Sequence, residues 1–351
     1  MTGFEETFRS VALTLTRSIS FASHAFLFGL VPVLLLVLRP AFSSLGSEDW
    51  KKGRRRVARR LEGMVQAALT ATAVATLITL VLQFALVSET QGGEITSDPV
   101  FSVLETRFGQ LYLLRFPLLV GLTVLLVGRV GEWSLTGAGD DGRPPGRVWW
   151  GGWVALSVGL LATSTLSGHA AVAPPIPVSI LNDLLHLVFG SVWFAGIIVL
   201  ALVVPDAWKG QERHEKVRLL APSVARFSTV ALVSITIVGL TGVLNSFLNL
   251  QELNDLVDTD YGRPILAKVL VYLGILAVGG INHYFVAGRL EAAAAAGKSD
   301  PAQSLFRKTI AVELVMALGV IGLTGYLTGA ARTKDSAVPP SDSGVTARPT
   351  P

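Results

Sequence analysis

The chain has 351 residues, of which 51% are hydrophobic and only 15% are charged, and it contains no cysteine. Soluble domains carry roughly 25% charged residues, so this composition indicates a membrane protein with no room for a large soluble domain. The lack of cysteine excludes disulfides, iron–sulfur clusters and thiolate metal sites. The net charge of +4 arises from basic residues in short loops, which favours membrane topology over nucleic-acid binding as its cause.

Eight apolar runs recur along the chain, each long enough to cross a hydrocarbon core about 30 Å thick. Because helices satisfy their own backbone hydrogen bonds in lipid, the sequence predicts an all-α polytopic membrane protein with eight transmembrane helices. The predicted spans are 18–38, 62–87, 109–128, 149–169, 178–204, 227–249, 264–287 and 308–329.

The regions around the spans complete the predicted organisation. Residues 1–17 form a short extracytoplasmic segment, 18–331 form the membrane domain, and 332–351 form an extracytoplasmic tail. The tail is rich in Ser, Pro, Asp and Thr, a composition typical of disorder. The sequence DDGRPPG at 140–146 is typical of a turn, and EAAAAAG at 291–297 is predicted to continue the seventh helix, because alanine is the best helix former.

The distribution of lysine and arginine predicts the orientation. Twenty of the 29 basic residues fall in the loops after the first, third, fifth and seventh spans, and seven fall on the opposite side. Cytoplasmic loops carry the excess of Lys and Arg, so both termini are predicted to lie outside the cytoplasmic membrane.

Two halves of the chain share local patterns. The third and seventh spans open with a threonine, a glycine three residues later and a cation nine residues later: Thr106, Gly109 and Arg115, and Thr259, Gly262 and Lys268. The first and fifth spans share a histidine, a Phe-Gly pair and a closing proline: His24, Phe28-Gly29 and Pro40, and His186, Phe189-Gly190 and Pro205. These patterns predict two parallel four-helix repeats, with chance similarity between apolar segments as the competing explanation.

Three histidines in the predicted outer half of the bundle are candidate metal ligands. His24 and His186 lie inside the first and fifth spans, and His169 lies at the outer end of the fourth. Asp183 precedes His186 by three residues, so it shares that helix face and could bind a cation or orient the imidazole. Ionisable groups inside a span are costly and are functional candidates for that reason. The alternative is that each histidine is an isolated interhelical hydrogen-bonding residue.

A second polar pair lies toward the predicted cytosolic side. Asn282 is near the inner end of the seventh span and Glu313 is a few residues into the eighth, where a carboxylate could accept a departing cation or relay a proton. The alternative is a structural anchor in which Glu313 pairs with Arg289, Arg307 or Lys308.

Two further cations lie just inside the predicted outer face. Arg115 and Lys268 have long side chains, which are expected to extend to the lipid headgroups.

An ordered set of segments marks the second half of the chain: SGHA at 167–170, LNDLLHLVFGSVWFAG at 181–196, FSTVALVSITIVGLTGVLN at 227–245 and YGRPILAKVLVYLGILAVGGIN at 261–282. Together with the Glu313 region and with the first span, which holds His24 and Leu38-Arg39-Pro40, this set resembles the copper resistance protein D family of inner-membrane proteins. The resemblance is strongest over 166–330 and extends more loosely over nearly all eight spans.

The resemblance implies a copper-handling protein that moves copper ions from the outer face toward the cytosol, often with a periplasmic copper-binding partner. Such a partner is expected to be a separate protein here. With no cysteine and three methionines, the chain fits Cu(II) or an imidazole-based site better than a Met-lined Cu(I) path.

Other functions stay open. Paired histidines on neighbouring helices also hold haem in electron-transfer proteins, and a non-transporting copper sensor or assembly factor is a further possibility. No phosphate-binding loop, dinucleotide fingerprint, nucleophile elbow or HExxH motif occurs, so the chain is predicted not to be an enzyme.

Overall fold

The computed structural model describes residues 3–45, 50–90, 97–127 and 146–329, and these ranges contain helices and no strand. Seven helices in these ranges are long and apolar enough to cross a membrane, judged by length and composition. The prediction of an all-α polytopic membrane protein is therefore confirmed. Most of the predicted turn at 140–146 and the whole tail at 332–351 lie outside the described residues.

Each of the eight predicted spans corresponds to a long helix. They are α1 (Gly3–Val33, continued by Leu34–Leu38 and Arg39–Ser43), α2 (Lys51–Thr90), α3 (Arg107–Val127), α4 (Arg147–Ser167), α5 (Ile176–Ile198, continued by Val199–Val203 and Val204–Ala207), α6 (Arg213–Asn249), α7 (Gly262–Ile281, continued by Asn282–Val286 and Ala287–Ala295) and α8 (Ala302–Leu327). The helix α4 is not among the seven apolar ones, because its tryptophans, glycines, serines and threonines lower its hydropathy.

Several helices extend beyond the predicted spans. The helix α1 begins at Gly3 rather than near position 18, so residues 3–17 continue it. Two neighbouring helices contact this extension. Thr79 of α2 donates a hydrogen bond to Thr16 at 3.0 Å, and Gly325 of α8 lies against the backbone at Thr14. The alanine-rich stretch continues α7 to Ala295, as predicted.

The helices α1 and α5 form the centre of the bundle. In their most apolar windows, 72% and 61% of residues are buried, against 28% or less in the other five candidate spans. The two helices pack directly on each other, and a Cβ at Gly29 would collide with the Ser191 carbonyl group. Polar side chains on these two helices therefore face protein rather than lipid.

Local structure supports the predicted repeat. Thr106 and Thr259 each follow a short helix, Ser97–Glu105 or Asp255–Asp258, and each accepts a backbone hydrogen bond from the glycine three residues on, at 3.1 and 2.9 Å. Those glycines, Gly109 and Gly262, are needed because a Cβ would collide with the carbonyl oxygen of Val103 or Asp255 in the short helix.

The first and fifth helices share a further distortion. Leu34–Leu38 in α1 and Val199–Val203 in α5 are π-helical turns, and each ends two residues before a proline. Proline has no backbone N–H to donate, so a regular α-helical hydrogen bond is missing there. The wider π-helical turn shifts the neighbouring backbone hydrogen bonds to the i→i+5 pattern. The two central helices therefore have π-helical turns at corresponding places.

Candidate functional site

The residues predicted for the outer site lie in the half of the bundle where α3, α5 and α7 begin and α4, α6 and α8 end, a region called here the histidine end. They form two groups. The first-half cluster comprises His24, Tyr112, Arg115, Thr163 and Ser164, and the second-half cluster comprises His169, Asp183, His186, Thr241 and Lys268.

His24 is the most buried member of the first-half cluster. It has no exposed surface, and its Nδ1 lies 3.1 Å from the Ser164 hydroxyl on α4. Its Nε2 is buried and has no hydrogen-bond partner among the described residues. Because Ser164 can donate or accept, both imidazole tautomers fit this contact.

Arg115 lies beside His24 and points inward. It is 2% exposed, its Nε donates to the Thr163 hydroxyl at 2.9 Å, and its guanidinium carbon lies 3.8 Å from the centre of the Tyr112 ring. The expectation that this side chain reaches the headgroups is wrong, because α4 supplies a hydroxyl and α3 an aromatic face that hold it in the interior.

His186 in the second-half cluster contacts a hydroxyl of the neighbouring helix. Its Nδ1 lies 2.9 Å from the Thr241 hydroxyl of α6, and that hydroxyl also lies 2.6 Å from the Ile237 carbonyl. When Thr241 donates to Ile237 it accepts from His186, and Nδ1 then carries the hydrogen while Nε2 presents a lone pair. That is the state in which imidazole binds a metal ion.

Asp183 is half-buried on the same face of α5 as His186. The residues in its electrostatic and hydrogen-bonding surroundings are Thr165, His169, Asn245 and Lys268. Lys268 is half-buried and faces both Asp183 and His186, rather than standing alone near the headgroups as expected. The carboxylate therefore has a counter-charge within its own half of the bundle.

His169 closes this cluster at the end of the bundle. It begins the short turn His169–Ala171, its Nε2 lies 3.1 Å from the Leu327 carbonyl, and its ring meets the Tyr261 ring edge-on at 5.8 Å. A carbonyl only accepts, so Nε2 carries the hydrogen of this contact.

The structure thus divides the four predicted outer residues. His169, Asp183 and His186 belong to one cluster, and His24 to the other. Across the described ranges, no group of three or more His, Cys, Asp or Glu side chains is arranged to hold a metal ion. Copper coordination by these residues stays a prediction.

At the opposite end of the bundle, the structure brings the predicted inner pair together. Asn282 donates to Glu313 at 2.8 Å and accepts from the Thr309 hydroxyl at 2.6 Å, and all three side chains are buried. Asn282 begins the π-helical turn of α7. Arg289 pairs with Asp300 at 3.2 Å rather than with Glu313.

Sequence reasoning missed the hydroxyl partners of these residues. Thr163 and Ser164 belong to a Thr-Ser-Thr run at the end of α4, Thr241 interrupts an apolar stretch of α6, and Thr309 directly precedes the apolar part of α8. Hydroxyl residues in mostly apolar spans could have indicated these contacts, because buried polar groups need hydrogen-bond partners. Their partners across helices could not be read from spacing within one helix.

Comparison with known proteins identifies the family. Residues 7–174 match the family model described as Copper resistance protein D-like, N-terminal domain, and residues 221–327 match the model described as Copper resistance protein D. The intervening residues 175–220, which include His186, lie outside both matched ranges.

Two curated proteins are similar to the chain. "Copper transport protein CutJ" of Bacillus subtilis (strain 168) is 26% identical over 239 residues, which are 66% of this chain and 41% of that protein. "Copper resistance protein D" of Pseudomonas syringae pv. tomato is 26% identical over 270 residues, which are 74% of this chain and 81% of that protein. The comparisons give no support to haem binding, and they confirm the resemblance read from the sequence. The chain belongs to the copper resistance protein D family.

Proposed function

We propose that the protein carries copper ions across the cytoplasmic membrane, from the histidine end toward the Asn282–Glu313 pair. The observation that supports this most is that the His186 imidazole and the Asp183 carboxylate share one face of the central helix α5, with Nδ1 of His186 against the Thr241 hydroxyl. The names of both relatives refer to copper, and one is called a transport protein.

The proposed outer site has donors suited to copper. Imidazole nitrogen and carboxylate oxygen bind Cu(II) well, and the chain has no cysteine for a thiolate path. His169, near the end of the bundle, would meet the ion first, and His186 with Asp183 would bind it deeper. A site that passes its ion onward must bind it weakly enough to release it, so an incompletely assembled ligand set fits this role. His24 stays a predicted further ligand in the other half.

The proposed inner site is the Asn282–Glu313 pair. Its carboxylate and amide oxygens are buried between α7 and α8, and Asn282 lies in a π-helical turn, a distortion often found at functional sites. Glu313 has no basic partner among the described residues, which leaves its charge available to a departing cation.

The direction of transport follows from the predicted orientation. If both termini lie outside, the histidine end faces the extracytoplasmic space and transport through it is uptake. A separate extracytoplasmic copper-binding protein would then deliver copper at His169.

The proposal is tested by copper accumulation in cells that express the His186→Ala variant. We expect accumulation to fall about tenfold or more, as is typical when a metal site loses a supporting group. His214→Ala is the matched control, because His214 lies in the first turn of α6, is 41% exposed and pairs with Glu212 and Glu215. Equal accumulation in the two variants, at equal protein level, would show that His186 is structural.

A further inference from the structure

The first-half cluster contains a buried cation without an acidic partner. Arg115 is 2% exposed, and its Nη1 is buried without a hydrogen-bond partner among the described residues. Its contacts are with the Thr163 hydroxyl and with the ring and hydroxyl of Tyr112, and none of these groups is an acid that is ionised at neutral pH. A buried charge without a counter-charge is strongly destabilising, so this guanidinium requires an anion.

The first half lacks a counterpart of Asp183 at the corresponding position. Asp183 lies three residues before His186, and the residue three before His24 is Phe21. The repeat therefore has a histidine and a cation in both halves and this acid in only one. No acid of the described residues pairs with Arg115, so an anion bound from solution would supply the missing negative charge.

A second arginine adds to the positive field. Arg17 lies seven residues before His24, so the two side chains share a face of α1. It is half-buried, lies near Tyr112 as Arg115 does, and forms no ion pair with an acid of the described residues.

We infer that the first-half cluster binds a small anion such as chloride, held by Arg115 Nη1 beside His24 Nε2. When Ser164 donates to Nδ1 of His24, Nε2 carries the hydrogen and becomes a second buried donor. Arg115 and His24 contact adjacent residues of α4, Thr163 and Ser164, which places the two side chains at one level of the bundle. The near-complete burial of both side chains favours a small ion over the phosphate of a lipid headgroup. This inference does not depend on copper being the cargo, and it assigns Nε2 of His24 to the anion instead of to copper.

Chloride binding to the purified full-length chain in detergent micelles tests the inference. In sodium gluconate, added chloride should raise the unfolding temperature of the wild type by a few degrees and then saturate, because a ligand that binds only the folded state stabilises it. Radioactive chloride should be retained stoichiometrically by the wild type. The Arg115→Gln variant should show neither effect.

The matched control is Arg263→Gln, the same substitution at an arginine of the histidine end whose side chain is 63% exposed and pairs with Asp260. It should respond to chloride as the wild type does. In gluconate alone, Arg115→Gln should be at least as stable as the wild type, because it removes an uncompensated charge.

Three results would overturn the inference. The wild type could fail to retain chloride, Arg115→Gln could respond to chloride as fully as Arg263→Gln, or stabilisation could require phosphatidylglycerol in the micelle and not chloride. The third result would assign the charge to a lipid phosphate. If Arg115→Gln does not fold, the measurement of chloride retention by the wild type still decides whether the chain binds the ion.

Discussion

The two halves of the bundle place a histidine and a cation at corresponding positions and differ in how they balance charge. In the second half, Lys268 faces Asp183 beside His186. In the first half, Arg115 lies beside His24 with only neutral hydrogen-bonding and aromatic contacts. A half with its own carboxylate suits a cationic cargo, whereas a half with an excess cation does not. The difference favours the second half as the place where copper binds.

The largest expected effect comes from removing the acid of the second half. Asp183→Asn leaves Lys268 without its counter-charge, and we expect the free energy of unfolding to fall by about 2 kcal/mol, less than for a fully buried pair because both side chains are half-buried. Copper accumulation should fall with it. Denaturant unfolding of the purified protein measures the first effect.

The double variant Asp183→Asn with Lys268→Gln separates the two effects. Stability should largely return, because no uncompensated charge remains, while copper accumulation should stay low. If the double variant is no more stable than Asp183→Asn alone, the two residues do not form a charge pair.

Much of the fold could be predicted from the sequence, because lipid forces apolar runs into helices. The similarity between the turns at Thr106 and Thr259 could also be predicted, because each turn depends on residues only three apart in the sequence. The lateral arrangement could not. Depth along α1 and α5 gave His24 and His186 similar heights, but only packing against α4 and α6 decided that they have separate partners. Packing against α4 also turned Arg115 inward.

A smaller effect distinguishes the two cations directly. In gluconate, Lys268→Gln should destabilise the protein by about 1 kcal/mol, because it leaves Asp183 unpaired, whereas Arg115→Gln should leave stability unchanged or raise it. Parallel unfolding experiments measure both. Equal losses in the two variants would show that the halves do not differ in charge balance.

The smallest expected change in stability is at the opposite end of the bundle. Glu313→Gln keeps an oxygen that accepts from Asn282, so the free energy of unfolding should change by less than about 1 kcal/mol. Copper accumulation should nevertheless fall, because the charge is lost. Unchanged accumulation would leave the Asn282–Glu313 pair a structural contact.

The central claim is that copper binds in the second half at His186. Metal analysis of the purified protein, combined with its absorption spectrum, tests this most directly. We predict that the wild type and His214→Ala retain copper stoichiometrically without a Soret band, and that His186→Ala loses it. A Soret band in the wild type, or equal copper in His186→Ala and His214→Ala, would contradict the claim.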